Sequence, residues 1–339
     1  MNVLVFRLSA MGDVAMSTAV LSAFSEQHPK NKIFMLTNKL FNPLFTGIPN
    51  ITLINPDFKG KHKNIFGLYK LFKELQKEVK PDIIIDIHDV LRTKIIRFFF
   101  RLKGTDIVKI DKGRKEKKQL TRKKNKLFKQ LKHSIQRYAD TFKKAGLPLT
   151  LNNSYTLNFN ITEESLNLLK GKEKKIGVAP FAKHLQKQYP LEMTEELIKL
   201  LSENNYKIFI FGGGKKEKEI AENLEKKYTD TISVIGKFSL ENEIALINKL
   251  DVMITLDSGN MHLAALTSVN IISIWGATHP FAGFTPFVPA EKNHIIQNNN
   301  LHCRPCSVFG NKKCYKKTLE CLYSVNPNDI LRICKKITG

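Results

Sequence analysis

The sequence contains no uninterrupted apolar run of about 18 residues, the length that a transmembrane helix needs. Its first seven residues lead straight into a turn and lack the charged and apolar regions of a signal peptide. Neither an Asp-x-Asp motif nor the GxxxxGK[ST] spacing of a P-loop occurs. We therefore expect a cytoplasmic protein that handles any bound phosphate without clustered carboxylates around magnesium.

Acidic residues are scarce, with 31 Asp and Glu against 55 Lys and Arg, and the formal net charge is +24. A basic excess of this size predicts an anionic partner, which could be a nucleic acid, an anionic membrane surface or a polyanionic substrate. Aromatic residues do not alternate with the cations of the basic segment 112–132, and no RNA-binding motif is visible. Nucleic acid is therefore the less favoured partner. The simplest alternative to an anion-binding role is that the basic segment is a solvated loop.

The five cysteines all lie after residue 300. In a reducing compartment they are expected to be thiols or metal ligands and not disulfides. Four of them, with two, seven and six residues between them, are candidates for a structural zinc site, although these spacings match no well-defined zinc module. The alternative is a loop with reduced thiols. The candidates are Cys303, Cys306, Cys314 and Cys321.

Apolar strand-like runs alternate with helix-like segments in two successive series along the chain. This pattern predicts an α/β protein with two doubly wound, Rossmann-like parallel sheets, assigned to domains 1–160 and 161–325. A terminal helix in 326–339 could pack back on the first domain. Ligands of such sheets bind at the carboxyl ends of the strands, so the expected site is a cleft between two facing domains.

Polar residues follow two of the predicted strands in the first domain. Asp13 follows the first strand and is either a general base on a rigid strand end or the N-cap of the next helix. Asp86 and His88 follow another strand, with Arg92 just beyond them. These three residues could bind a polar acceptor or simply cap the helix that follows.

The second domain contains the most informative stretch, Asp257-Ser258-Gly259-Asn260-Met261-His262, between an apolar strand and a helix. Free backbone N–H groups and the helix dipole at such a turn favour an anion, although His262 could be a core histidine. Lys187 could neutralise a phosphate or be a solvated loop lysine. Glu217, after three glycines, could bind a ribose or lie on the surface.

Taken together, these motifs resemble the bacterial heptosyltransferases of glycosyltransferase family nine. The resemblance spans nearly the whole chain in a consistent order. It rests on Arg7-Leu8-Ser9-Ala10-Met11-Gly12-Asp13, Asp86-Ile87-His88 with Leu91-Arg92, Lys187-Gln188-Tyr189-Pro190, Gly236-Lys237-Phe238-Ser239-Leu240, and Asp257-Ser258-Gly259-Asn260-Met261-His262.

The resemblance implies a GT-B fold and an inverting, metal-independent transfer of heptose from ADP-L-glycero-β-D-manno-heptose, with no cofactor. The acceptor would be the Kdo–lipid A inner core of lipopolysaccharide or a heptose already attached to it. A related sugar on the same scaffold is the alternative. The enzyme would touch the anionic inner face of the inner membrane from the cytoplasm through Arg92 and the basic segment.

The resemblance also implies a role for each matched residue. Asp13 falls at the position of the catalytic base, and Lys187 at the lysine that binds the donor diphosphate. Glu217 falls near the ribose-binding glutamate. The remaining donor residues would be Asp257, Ser258, Gly259, Asn260 and His262, and the acceptor residues would be Ser9, Gly12, Asp86, His88 and Arg92.

Overall fold

A computed structural model describes all 339 residues, which form two compact units. The first unit consists of Met1–Gly113 and Lys132–Asn153, and the second of Arg114–Leu131 and Ser154–Gly339. The expected boundary after residue 160 lies seven residues beyond the one after Asn153. The basic segment departs further from the expected division into domains, because it packs with the second unit although its position in the sequence is within the first.

The first unit is built around five strands. The chain runs through β1 (Asn2–Phe6), α1 (Met11–Gln27), β2 (Lys32–Leu36), a 3-10 helix (Lys39–Phe45), β3 (Ile51–Ile54), α2 (Ile65–Glu78), β4 (Ile83–Asp86), α3 (Leu91–Arg101) and β5 (Asp106–Lys109). It continues with α4 (Arg114–Leu120), which belongs to the second unit, and α5 (Ser134–Lys144).

All strands of the first sheet are parallel, in the order β3-β2-β1-β4-β5. The central strand β1 is apolar after its first residue, and Val3 to Phe6 have no exposed surface. A strand of this kind is covered on both faces, as in a doubly wound sheet. In such a sheet β1 and β4 end side by side, with Phe6 opposite Asp86.

The second unit repeats this plan with six strands. Its elements are α6 (Glu163–Leu168), β6 (Lys175–Ala179), α7 (Leu191–Glu203), β7 (Lys207–Ile210), α8 (Lys215–Lys227), β8 (Thr231–Ser233), α9 (Leu240–Ile247), β9 (Val252–Leu256), α10 (Gly259–Ala264), β10 (Asn270–Trp275), two 3-10 helices (Pro280–Ala282 and Ala290–Lys292), β11 (Asn293–Gln297), α11 (Glu320–Tyr323) and α12 (Pro327–Thr338). The strands are parallel in the order β11-β10-β9-β6-β7-β8.

The segment Arg114–Leu131 is not the wholly solvated loop that its charge suggests. Leu120 and Leu131 are buried against Ala282, and the Leu131 N–H donates to the Phe281 carbonyl at 2.9 Å. Lys126 donates to the successive carbonyls of residues 302–305 at 2.8–3.2 Å. Part of the positive charge of this segment therefore fixes it to the second unit.

The last helix, α12, also packs within the second unit. Ile330, Leu331 and Cys334 join the core that contains β6, β7 and β9. Sequence considerations allowed this helix to pack back on the first domain; in the structure its apolar residues are buried against the second sheet. No helix of the structure is long and apolar enough to cross a membrane.

Candidate functional site

Asp13 is held in the first unit by two groups that lie far from it in sequence. Its Oδ2 forms an ion pair with Arg7 Nη2 at a distance of 2.5 Å, and its Oδ1 accepts a hydrogen bond from the Tyr138 hydroxyl at 3.3 Å. Burial raises the pKa of Tyr138 well above its usual range, so its hydroxyl keeps the proton that it donates. The Asp13 side chain is still 35% exposed, so the fixed side chain is not enclosed by protein.

The N-cap alternative for Asp13 does not hold in the structure. Helix α1 begins at Met11, with Ala10 at the N-cap, so Asp13 lies inside the first turn. A carboxylate there still interacts well with the helix dipole. Its oxygens, however, contact Arg7 and Tyr138, so side chains and not a capping hydrogen bond set the direction of the carboxylate.

Arg7 connects this carboxylate to the end of the neighbouring strand. It is nearly buried at the carboxyl end of β1, and its Nη1 donates to the Ile87 carbonyl at 2.8 Å. Its guanidinium also lies 5.5 Å from the centre of the Tyr138 ring. Arg7 belongs to the N-terminal motif but had no predicted role, and no pattern in the sequence pointed to Tyr138.

His88 lies beside Arg7 after β4. The Leu8 N–H donates to His88 Nδ1 at 3.2 Å, which places the proton of the neutral ring on Nε2. Burial, followed by the positive charge of Arg7, lowers the pKa of His88 to about 3. The imidazole is therefore neutral near pH 7, with Nε2 as a hydrogen-bond donor.

Asp86 has no exposed surface, and its side chain forms hydrogen bonds with the backbone of the turn that contains His88. Its Oδ1 accepts the N–H groups of His88 and Asp89 at 2.8 and 2.7 Å, and its Oδ2 lies 3.1 Å from Arg97 Nε. Arg97 also pairs with Asp89 at 2.9 Å. Asp86 therefore cannot contact an acceptor directly in this structure. Arg97, which holds both carboxylates, was not predicted from the sequence.

The other first-unit candidates are more open. Ser9 is exposed in the turn between β1 and α1, whereas Gly12 is buried in the first turn of α1. Arg92 is exposed on α3, with its guanidinium 4.7 Å from the centre of the Phe58 ring. The alternative that Asp86, His88 or Arg92 caps α3 does not hold, because the N-cap is Val90, whose backbone exchanges hydrogen bonds with the Thr93 hydroxyl.

In the second unit, the structure brings together Lys187 and Asp257, two of the predicted donor residues. Asp257 directly follows β9, and Lys187 lies in the loop after β6; the Nζ–Oδ2 distance is 3.0 Å. Both side chains are largely buried. An ammonium group of this kind forms strong charge-assisted hydrogen bonds with carboxylate or phosphate oxygens.

A glycine shapes the path of the Lys187 side chain. Gly310 has a φ of +73°, and a Cβ added there would overlap Cγ and Cδ of Lys187. The aliphatic stem therefore lies directly on the Gly310 backbone. No signal in the sequence pointed to Gly310, because this close approach joins two distant loops.

The turn after Asp257 is built partly as expected. Ser258 occupies the N-cap position of α10, but its side chain makes no capping hydrogen bond. Its hydroxyl is buried and has no hydrogen-bond partner. Its N–H, which the sequence analysis assigned to an anion, instead donates to the Leu256 carbonyl at 2.7 Å. Gly259, Asn260 and the buried His262 follow in the short helix α10. The unpaired Ser258 hydroxyl is the group that a ligand could satisfy here.

Glu217 lies in the first turn of α8 and reaches back over the glycine loop. Its Oε2 accepts the Gly213 N–H at 2.7 Å, and a Cβ on Gly212 would come within 2.8 Å of the same oxygen. The carboxylate thus holds the loop that comes after β7.

The four cysteines proposed as zinc ligands line one small cavity of about 20 Å³ together with Arg304. No three His, Cys, Asp or Glu side chains are arranged to hold a metal ion anywhere in the chain, so the zinc interpretation is not supported. Burial raises the pKa of Cys321 to about 12. The loop is instead fixed by Arg304, which donates to the carbonyls of Trp275, Gly276, Thr278 and Asn298.

Comparison with known proteins gives a consistent result. The family model of glycosyltransferase family 9 (heptosyltransferase) matches residues 68–317. The lipopolysaccharide core heptosyltransferase OpsX of Haemophilus influenzae is 24% identical over 291 residues, which cover 81% of this chain and 79% of the relative.

Two solved structures share the fold over almost their full length. A glycosyltransferase of family 9 from Veillonella parvula has a TM-score of 0.77 at 21% identity, covering 99% of this chain and 96% of its own. The ADP-heptose LPS heptosyltransferase II of E. coli has a TM-score of 0.71 at 17% identity, covering 99% and 98%. The two parallel sheets are those of the GT-B fold, and the chain belongs to glycosyltransferase family 9, the heptosyltransferases.

Proposed function

We propose that this glycosyltransferase transfers heptose from ADP-L-glycero-β-D-manno-heptose to the inner core of lipopolysaccharide, either Kdo–lipid A or a heptose on it. Family membership supports a heptosyl donor, and the names of the E. coli and H. influenzae relatives specify ADP-heptose and the lipopolysaccharide core. The observation that carries the proposal is the Asp13 carboxylate, which is fixed by Arg7 and Tyr138 and is still partly exposed.

In the proposed reaction Asp13 is the general base. It takes the proton from an acceptor hydroxyl while that oxygen attacks the anomeric carbon of the donor. The bond from this carbon to the ADP oxygen breaks with its electron pair, and ADP leaves. A single in-line displacement inverts the anomeric configuration.

The donor residues would act on the leaving diphosphate. Lys187 would turn from Asp257 toward the phosphate charge, and the Ser258 hydroxyl would gain its missing partner. Gly259, Asn260 and His262 complete this loop, and Glu217 would accept a ribose hydroxyl. Because the sequence has no Asp-x-Asp cluster and Lys187 supplies positive charge, the transfer is proposed to need no metal.

The acceptor would be bound by the first unit. His88, neutral and with a proton on Nε2, can donate to a sugar hydroxyl, and exposed Arg92 can meet an acceptor phosphate. Ser9 and Gly12 lie in the turn before Asp13, and Asp86 acts as a positioning residue for His88. A lipid-linked acceptor would bring the enzyme to the anionic inner face of the inner membrane.

The decisive experiment is heptose transfer by the Asp13→Asn variant with a lipid-free inner-core acceptor. Loss of the base should lower kcat by on the order of 10²–10⁴-fold while ADP binding is unchanged. Transfer near the wild-type rate would exclude Asp13 as the base. Activity in excess EDTA should equal that without it, and a loss there would contradict the metal-independent step.

A thermal-shift screen of nucleotide sugars tests the identity of the donor. ADP-heptose should raise the unfolding midpoint more than UDP-sugars do, because binding stabilises the folded state by mass action. A UDP-sugar that outranks ADP-heptose would support the alternative, in which the same scaffold transfers another sugar.

A further inference from the structure

One face of the first unit exposes large apolar side chains on two adjacent helices, α2 and α3. Phe66 on α2 is 81% exposed, and Phe98 on α3 is 57% exposed. Leu91 and Leu102 lie two turns before and one turn after Phe98, on the same side of α3. The face is defined by Phe66, Tyr69, Leu91, Phe98 and Leu102, and all five are exposed.

Ring contacts connect the two helices within this face. The Phe98 ring lies 5.8 Å from that of Phe99, and the Phe99 ring lies 5.1 Å from that of Tyr69. Phe66 lies one turn before Tyr69 on α2. The rings of Tyr69, Phe98 and Phe99 therefore connect the two helices, and monomeric proteins rarely expose a large contiguous apolar patch without a binding role.

Exposed cations surround the apolar groups. Helix α3 and the three residues after it contain no acidic side chain. The acids of α2 are Glu74, which pairs with Lys61, and Glu78 at the helix end. The exposed cations of the two helices are Lys70, Lys73, Lys77, Arg92, Lys94 and Arg101, and Lys63 and Lys103 lie just outside them.

This combination differs from a protein-binding surface. The centres of protein interfaces are depleted of charged residues, and of lysine in particular. Helices that lie in the membrane–water interface instead combine Phe and Leu with flanking Lys and Arg. The apolar rings enter the headgroup region while long cationic side chains reach the lipid phosphates.

We propose that the α2–α3 face docks the enzyme on an anionic phospholipid bilayer. The proposal rests on the proposed function for its purpose, because a lipid-linked acceptor lies in such a bilayer. It differs from the expectation that the basic segment makes this contact. Part of that segment is bound to its own unit, through Leu120, Leu131 and Lys126.

Flotation of the full chain with vesicles tests the docking. The probe is phosphatidylcholine with about one third phosphatidylglycerol, and pure phosphatidylcholine is the control membrane. Phe66→Ser combined with Phe98→Ser should reduce the bound fraction at least tenfold. Leu166→Ser, an exposed apolar residue of the second unit, should leave it unchanged.

Charge reversal separates the two basic surfaces. Arg101→Glu with Lys103→Glu should abolish flotation, whereas Lys123→Glu with Lys124→Glu in the basic segment should retain most of it. The opposite result, with loss only in the segment variant, would overturn the proposal. So would equal binding of the wild type to neutral and anionic vesicles.

A spectroscopic readout locates the contact. Trp275 is the only tryptophan and is fully buried, so Phe98→Trp adds one reporter on the proposed face. Brominated lipids should quench the new emission and leave that of Trp275 unchanged. Emission from Phe98→Trp that does not change with vesicles would exclude insertion at this position.

The result of the vesicle-binding tests does not depend on the proposed reaction. Phe66→Ser with Phe98→Ser should transfer sugar to a lipid-free acceptor at the wild-type rate and lose activity only on vesicles. If Asp13→Asn keeps full activity while vesicle binding follows the predictions above, the proposed function fails and the docking surface stands. If the vesicle tests fail while Asp13→Asn is inactive, the docking surface is excluded and the proposed function stands.

Discussion

Arg7 and Asp13 form an ion pair of 2.5 Å in the first unit, across the turn that joins β1 to α1. The pair is anchored on both sides, because Arg7 also binds the Ile87 carbonyl and Asp13 also accepts from Tyr138. A carboxylate held in this way has a fixed direction, which is what a general base needs in order to meet a hydroxyl proton.

Replacing Arg7 should therefore impair catalysis without removing the base. We expect Arg7→Gln to lower kcat by on the order of 10–100-fold, because Asp13 loses its main orienting contact. Tyr138→Phe removes only the 3.3 Å hydrogen bond and should cost less than about fivefold. Steady-state kinetics of both variants provide the measurement, with ADP affinity as the control for an intact donor site. Equal losses in the two variants would contradict the dominant role of Arg7.

The Lys187–Asp257 pair leads to a second prediction. Lys187→Met should raise the Kd for ADP by about 10–100-fold, since the largely buried ammonium group supplies charge for the phosphates. Asp257→Asn leaves that ammonium group unpaired and should lower the free energy of unfolding by about 1–3 kcal/mol. The double variant should be more stable than the sum of the single losses indicates.

Isothermal titration with ADP and thermal unfolding measure these effects. Lys183→Met is the matched control, because this exposed lysine lies in the same loop. If it weakens ADP binding as much as Lys187→Met does, general charge and not a specific contact would be responsible.

Much of the fold follows from the apolar pattern of the central strands. Lys175–Ala179 and Val252–Leu256 are largely apolar runs that form neighbouring central strands, because buried parallel strands are apolar runs of a few residues ended by turn signals. The edge strand β11 was not predicted. It covers Asn293–Gln297, which is mostly polar, and an edge position buries little side-chain surface.

The positions of the candidate residues after strands could be predicted from the sequence, but their contacts could not. Asp13 and Lys187 follow strands, and parallel sheets place ligands at those ends. Tyr138, however, reaches Asp13 from 125 residues away, and no spacing rule covers such a distance. Arg97 resembled the other cations of α3 in the sequence. Only the packing of α3 shows that this one turns inward to Asp86 and Asp89.

Glu243 provides a third prediction, which concerns pH. It lies in the first turn of α9, and burial raises its pKa from 4.5 to about 7. Because the folded state holds this proton more tightly than the unfolded state, stability due to Glu243 is present at low pH and is lost as the pH rises from 4.5 to about 7.

Glu243→Gln removes the buried charge, so it should stabilise the protein at about pH 8 by about 1–3 kcal/mol and have little effect near pH 4. Thermal unfolding across this range is the measurement, with the exposed neighbour Glu241→Gln as the control. A gain that does not change with pH would show that desolvation of the charge is not its cause.

Gly310 tests how the donor lysine is positioned. Alanine there would be strained by the φ of +73°, and its Cβ would displace the Lys187 stem. Gly146 has nearly the same φ, +75°, but open space around it. Both Gly310→Ala and Gly146→Ala should therefore lose about 1–2 kcal/mol of stability from backbone strain.

Only Gly310→Ala should also raise the Kd for ADP, by about 5–20-fold, because only there does the new methyl group move Lys187 away from the phosphate position. Combining Gly310→Ala with Lys187→Met should add nothing further to the Kd, since the displaced lysine no longer contributes. An additive loss in the double variant would show that Gly310 acts on ADP binding by another route.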